Sequence, residues 1–99
     1  MKNYSNSEIK WLVEDYEELK HLKGTNSEGR IMFLIKLADL ERSLRRLSKP
    51  EFEAVFLCGM FGISTRSAGN LVGTSHVTMN KRYKRGLQSL ARYLNAVQR

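Results

Sequence analysis

The chain has 99 residues with one cysteine, one proline and two histidines, and 17 Lys/Arg outnumber 10 Asp/Glu to give a net charge of +7. This length suits one domain with its own core, and so few Cys and His side chains exclude a disulfide framework and predict neither a metal site nor a cofactor. No apolar run approaches the roughly 18 residues of a membrane span, and the N-terminus lacks the apolar core of a signal peptide, so a cytoplasmic protein is expected.

Positive charge is concentrated in the second half of the sequence. Residues 1–47 contain nine Lys/Arg and eight Asp/Glu, whereas residues 48–99 contain eight and two, so the second half contributes +6 of the +7. No acidic residue follows Glu53. Such segregation is typical of proteins that bind a polyanion, because each neutralised phosphate releases counterions. A solvated basic helix surface is the alternative, although such surfaces usually mix both signs.

Long segments rich in Leu, Lys, Arg and Glu predict an all-α fold, a small helical bundle. The first helix is predicted to begin at Ser5, which with Glu8 fits a capping box, and to end before Gly24. Helical spacing gives this helix one apolar face, made by Ile9, Leu12, Val13, Tyr16 and Leu19.

Three other apolar residues of this segment, Tyr4, Trp11 and Leu22, fall away from that face. Two apolar sides on one helix favour burial on both. Residues 1–24 are therefore predicted to form an arm that meets a partner or makes a homodimer, and residues 30–99 to form the helical domain. The alternative is a Trp11 half-covered by its own neighbours.

Residues 24–29 have the composition of a turn-rich linker. A second helix is predicted over residues 30–47, and its wide apolar stripe indicates a central place in the core. The stripe consists of Ile31, Leu34, Ile35, Leu37, Ala38, Leu40, Leu44 and Leu47. A third helix is predicted to begin at the cap Ser48, with Pro50 and Glu51 in its first turn, and to end around Phe61 and Gly62.

Three successive elements indicate a helix-turn-helix within residues 64–96. Ser64 is predicted to cap a short helix over residues 65–72, and Gly73 allows the turn a positive φ. A long helix then follows over residues 75–96, and its apolar stripe is assigned to the core. That stripe contains Met79, Tyr83, Leu87, Leu90 and Leu94.

Gly69 is predicted to supply the small residue where the two crossing helices approach, and alanine but nothing larger is expected to be tolerated there. A glycine inside a helix costs about 1 kcal/mol relative to alanine, and a close approach would explain its presence. An ordinary helical hairpin is the alternative to the helix-turn-helix.

With the run Lys81-Arg82-Tyr83-Lys84-Arg85 after this turn, residues 48–94 resemble region 4 of bacterial sigma factors, especially those of the small extracytoplasmic-function type. The recognition helix of that family reads roughly Gly-Thr-Val-x-Ser-Arg-x-x-Arg-Ala. Residues 77–87 match its threonine, the apolar residue after it, both arginines and the small residue. The short helix departs from the family, with Ser67-Ala68-Gly69 where Glu-Ile-Ala is usual, which implies lighter packing.

Residues 1–47 show no segment of the kind with which sigma factors bind and melt promoter DNA. The chain therefore resembles the short sigma-like transcription regulators of bacteriophages and prophages, in which a helical segment precedes a region-4-like domain. This resemblance implies a DNA-binding transcription regulator in the cytoplasm of a bacterial host. Its partners would be double-stranded DNA and, as a second partner, RNA polymerase.

Helix-turn-helix docking places the N-terminal part of the second helix in the major groove. The residues predicted to contact bases are Ser75, His76, Val77, Asn80, Lys81 and Lys84. The residues predicted to contact phosphates are Arg66, Thr78, Arg82 and Arg85. The free N–H groups of residues 65–67 are predicted to hold a further phosphate. An exposed histidine without a DNA contact is the alternative for His76.

No nucleophile, base or metal-ligand constellation is evident, so no enzyme is expected. Two other classes stay open. One is an interaction module that binds RNA polymerase or an anti-sigma protein. The other is a DNA-packaging subunit, like a small terminase, that combines a helix-turn-helix with oligomerisation into a ring.

Overall fold

The computed structural model describes residues 4–16, 18 and 27–96, and the side chains of the last range from residue 34 onward. The helices are α1 (Asn6–Glu14), α2 (Ser27–Leu44), α3 (Lys49–Ala54), α4 (Thr65–Val72) and α5 (His76–Ala96). A π-helical segment, Val55–Met60, continues α3. The described residues contain no strand, and the predicted all-α bundle is confirmed.

Serine caps begin four of these helices. In each, the serine hydroxyl accepts a hydrogen bond from the backbone N–H three residues later, at 3.1–3.4 Å. The caps are Ser5, Ser48, Ser64 and Ser75. The Glu8 carboxylate does not close the predicted box on Ser5 but accepts a hydrogen bond from Lys36 Nζ of α2 at 2.5 Å. A bond from a charged ammonium is stronger than one from a neutral amide, which explains the difference.

One apolar core joins α1, α2, α5 and the segment after α3. Its buried members are Ile9, Leu12, Val13, Tyr16, Leu37, Leu40, Leu44, Leu47, Val55, Leu90 and Leu94. The predicted apolar face of α1 is thus confirmed for its first four members, and α1 forms one wall of the core. The helix α1 ends at Glu14, with Asp15 as its C-cap, earlier than the predicted end before Gly24, so Tyr16 lies two residues beyond it. The fifth member of the predicted face, Leu19, lies outside the described residues.

The second helix begins earlier and ends earlier than predicted. It starts at Ser27 and ends at Leu44, so the prediction that residues 27–29 belong to a linker is wrong, while residues 24–26 lie outside the described chain. Local turn propensity is a weak prior that a long helix overrides, because a glycine in a helix costs only about 1 kcal/mol.

The apolar stripe of α2 is also narrower than predicted. Leu34 and Ile35 are 51% and 38% exposed, whereas Leu37, Leu40 and Leu44 are buried. Buried positions spaced three and four residues apart form a seam against neighbours on one side only. The side chain of Ile31 lies outside the described residues.

Tyr4 belongs to the protein's own core, contrary to its predicted place on a second apolar side. Its backbone N–H donates to Asn95 Oδ1 of α5, and Asn95 Nδ2 donates to the Tyr4 carbonyl at 3.2 Å. Tyr4 precedes α1, so the spacing of that helix does not determine where its ring lies. Trp11 is 45% exposed and Leu22 lies outside the described residues, so the homodimer through this helix stays a prediction.

Candidate nucleic-acid interface

The predicted bounds of the two helices on either side of Gly73 agree with the structure. The short helix α4 covers Thr65–Val72 between the cap Ser64 and Gly73, which adopts the left-handed conformation at φ 79°. The backbone N–H of Thr74 donates to the Gly69 carbonyl at 2.8 Å and closes the turn. The long helix α5 begins directly afterwards, so its first turn is fixed relative to α4 by backbone contacts.

Gly69 lies where the backbone of the turn crosses α4. An ideal Cβ there would lie 2.6 Å from the carbonyl oxygen of Thr74 and 3.2 Å from the carbonyl carbon of Ser75. The predicted close approach is confirmed, but its neighbour is the turn that leads into α5. The prediction that alanine is tolerated is wrong, since even a methyl group meets backbone that has no rotamer to move into.

A small buried cluster connects α4 and α5 to α3. Ala54, Ala68 and Met79 are fully buried together, which confirms the predicted core position of Met79. The long, flexible Met79 side chain suits a cluster whose other members are alanines. Cys58 packs at the edge of this cluster, and burial raises the pKa of its thiol, which keeps it in the neutral form expected of a packing residue.

The helix α5 presents one continuous face to solvent. Six of its exposed residues fall on one side of the helix, as the helical period requires. They are Val77, Lys81, Lys84, Arg85, Gln88 and Arg92. The buried residues of the same helix lie on its opposite side and pack on the core. They are Met79, Gly86, Ser89, Leu90 and Leu94.

Most residues predicted to touch DNA lie on or beside this face. Among the predicted base contacts, the exposed residues are Ser75, His76, Val77, Lys81 and Lys84, whereas Asn80 is partly buried. Among the predicted phosphate contacts, Arg66 and Arg85 are exposed, whereas Thr78 and Arg82 are partly buried. The division of these residues between bases and phosphates stays a prediction.

Some polar groups predicted to face DNA are already engaged inside the protein. Ser75 Oγ accepts a hydrogen bond from the Thr78 N–H and donates one to Thr78 Oγ1, both at 3.1 Å. The N–H of Ser67 donates to the cap Ser64. These groups satisfy the first turns of α4 and α5, because helix N-termini leave their N–H groups without intrahelical partners. The N–H groups of residues 65–67 were predicted to hold a phosphate, but the N–H of Ser67 is therefore already bonded within the protein.

The cations of the α5 face have no acidic partner within the described chain. The ion pairs of the described chain all lie on α1 and α2. They join Lys10 to Glu14, Lys36 to Glu8 and Arg42 to Asp39. The sequence contributes to this, because no Asp or Glu lies beyond Glu53, so an acidic partner would have to come from residues 1–53. Unbalanced positive charge on an exposed helix creates a potential that attracts anions.

A contact that the sequence did not predict fixes α1 to α5. The Tyr83 hydroxyl donates to Glu14 Oε2 at 3.2 Å, and Gly59 leaves room beneath it, since a Cβ there would meet Val13 and lie 3.2 Å from Tyr83. Burial, and then the negative charge of Glu14, raise the pKa of the Tyr83 phenol. Two features of the sequence hint at this contact. They are the acidic residues at the end of α1 and the one hydroxyl group, that of Tyr83, in the apolar stripe of α5.

We expect the free energy of unfolding to fall as the pH rises above about 10, the ordinary pKa of tyrosine. A phenol whose pKa is raised in the folded state keeps its proton there after the unfolded chain has lost it. Its contribution is complete below the unfolded pKa and is lost as the pH climbs towards the folded one. Urea unfolding of the wild type and of Tyr83→Phe at several alkaline pH values measures this. Other tyrosines and the lysines titrate in both proteins, so equal pH dependence would contradict the prediction.

None of the described helices is long and apolar enough to cross a membrane. The described part of the chain also holds no group of His, Cys, Asp and Glu arranged to bind a metal ion. Comparisons of this chain with protein-family models, with curated proteins and with solved structures yield no match.

Proposed function

We propose that this protein binds double-stranded DNA through α4 and α5 and regulates transcription. The observation that carries the proposal is the exposed, uncompensated basic face of α5, which directly follows the tight turn at Gly73. The resemblance of residues 48–94 to sigma factor region 4 supports a role at promoters. RNA polymerase is then a natural second partner.

The geometry of α5 suits insertion of its first turns into the major groove. The helix has 21 residues and is therefore roughly 31 Å long. The groove, about 12 Å wide, admits a helix along its length, and in helix-turn-helix docking the N-terminal residues of the second helix contact the base edges. These residues correspond to the segment from Val77 to Lys84. Val77 is 52% exposed and presents an apolar side chain suited to a thymine methyl, while Asn80 and Lys81 suit adenine and guanine edges.

Replacement of Asn80 or Lys81 by alanine is expected to relax sequence preference at one base pair and to weaken binding by about 1–3 kcal/mol. Arg85→Ala should instead weaken binding to all sequences alike, because a phosphate contact carries no base information. Selection from randomised duplexes would yield the preferred sequence. Fluorescence anisotropy on that duplex and on its single-base variants would then measure the changes.

Gln88→Ala is the matched control for these variants, since Gln88 is exposed on the same face but is uncharged and lies beyond the groove segment. It should bind like the wild type. If Asn80→Ala, Lys81→Ala and Arg85→Ala all act identically, the recognition face is assigned wrongly. If the wild type binds no duplex, the proposed function is wrong, and a ring of many chains in light scattering would indicate the packaging subunit instead.

A further inference from the structure

The last turns of α5 carry a second basic cluster, away from the helix-turn-helix. Arg46, just after α2, lies over the ring of Tyr93 with its Cζ 4.1 Å from the ring centroid. The Cζ of Arg92 lies 5.7 Å from the same centroid. Both arginines are exposed and Tyr93 is partly buried. These three residues are called the Tyr93 cluster below.

Two guanidinium groups share one aromatic ring in this cluster. The ring attracts each cation, but the two positive charges repel each other. Within the described chain, Arg42 takes the nearby buried carboxylate of Asp39 at 3.6 Å, and Arg92 reaches only the neutral hydroxyl of Ser89, at 3.4 Å. Neither cation of the Tyr93 cluster has a carboxylate partner there, so an anion between them would relieve the repulsion.

The position of the cluster along α5 indicates which anion fits. Arg92 lies on the same exposed face as Lys81, eleven residues further on, which is roughly 16 Å along the helix axis. The major groove winds around the duplex, whereas a helix is nearly straight, so a helix whose N-terminal residues contact the base edges leaves the groove towards its far end. With the first turns of α5 in the groove, Arg92 would then lie near the groove edge, where the sugar-phosphate backbone runs.

We propose that Arg46 and Arg92, held together by Tyr93, bind backbone phosphates of the DNA next to the groove that α5 enters. This inference rests on the proposed function and extends the interface from the helix-turn-helix to the end of α2. Contacts to phosphates carry no sequence information. The Tyr93 cluster therefore adds affinity and fixes the orientation of α5 on the duplex.

The test is the salt dependence of binding to a duplex of arbitrary sequence, about 30 base pairs or roughly three helical turns long. The double variant Arg46→Gln/Arg92→Gln should make the slope of log K against log salt shallower by about two units, since each phosphate contributes about 0.9. The single variant Arg46→Gln should account for about half of that change. The matched control is Arg42→Gln, which removes the same charge four residues earlier, in the last turn of α2, where Asp39 already balances it.

Variants of Tyr93 test whether the ring holds the two arginines in place or whether their positive charge alone attracts the DNA. Tyr93→Phe keeps the ring and should bind like the wild type. Tyr93→Leu keeps both arginines and an apolar side chain but removes the ring, so binding at fixed salt should weaken about two- to fivefold. Circular dichroism checks that both variants are folded.

The outcomes distinguish this inference from the function on which it rests. If the wild type binds no duplex, both are overturned. If the wild type binds with a steep salt dependence but the double variant changes the slope no more than Arg42→Gln does, only the Tyr93 cluster is excluded. Equal binding by Tyr93→Leu and the wild type would likewise exclude the ring as the element that holds the two arginines.

Discussion

Raising the salt concentration from about 50 to about 200 mM is expected to weaken duplex binding roughly a thousandfold. About six phosphate contacts give a slope near −5 for log K against log salt. A fourfold increase in salt therefore lowers the binding constant by about the fifth power of four. The steepness follows from the charge pattern, because the cations of α5 meet no carboxylate within the described chain. Fluorescence anisotropy across a salt series measures the slope directly.

Lys36→Gln is the control for this measurement. It removes one positive charge, as a change on α5 would, but Lys36 already pairs with Glu8, so the slope should stay close to that of the wild type. Arg85→Gln, on the exposed face and at a predicted phosphate contact, should make the slope shallower by about one unit. A flat salt response of the wild type would exclude nucleic acid as the ligand.

Gly69→Val is expected to abolish duplex binding and to lower the free energy of unfolding by about 1–3 kcal/mol. Any side chain at this position meets the Thr74 carbonyl oxygen, 2.6 Å from an ideal Cβ. The turn must then move, and α5 begins two residues later, so the recognition face moves with it. Gly69→Ala should act in the same direction with a smaller effect. Thermal melting and anisotropy measure the two quantities.

Asn70→Val is the matched control for Gly69→Val. Asn70 is the next residue of α4 and is exposed, so the same β-branched side chain enters the same helix without meeting the turn. It should retain duplex binding and change stability by less than about 0.7 kcal/mol, the range of ordinary helix propensities. A Gly69→Val protein with an unchanged melting temperature and unchanged affinity for the duplex would show that the turn does not determine the orientation of α5.

Helix starts and the turn were predictable because their determinants are local. Ser48, Ser64 and Ser75 accept hydrogen bonds from groups three residues away, and Gly73 adopts a conformation that most other residues avoid. These signals lie entirely within a few residues of sequence. The bounds of α4 and the start of α5 therefore agree with prediction.

Burial and partner choice were harder to predict, because they depend on which elements meet. Leu34 and Ile35 repeat with helical spacing like the buried leucines of α2, yet the core lies on one side of that helix and leaves them exposed. Tyr4 looked like part of an outer surface, but Asn95, 91 residues away, binds its backbone. The π-helical segment Val55–Met60 had no recognisable signal in the sequence.

By itself the sequence determined that the protein is helical, where the short and the long helix around Gly73 lie, and that no acidic residue follows Glu53 along the chain. Only the tertiary structure decided that Glu14 accepts a hydrogen bond from the Tyr83 hydroxyl and that Arg46 and Arg92 both lie against the ring of Tyr93. Capping, periodicity and composition act over one or two helical turns, whereas these contacts join residues from different helices. Such pairs form only when packing of the core brings the helices together.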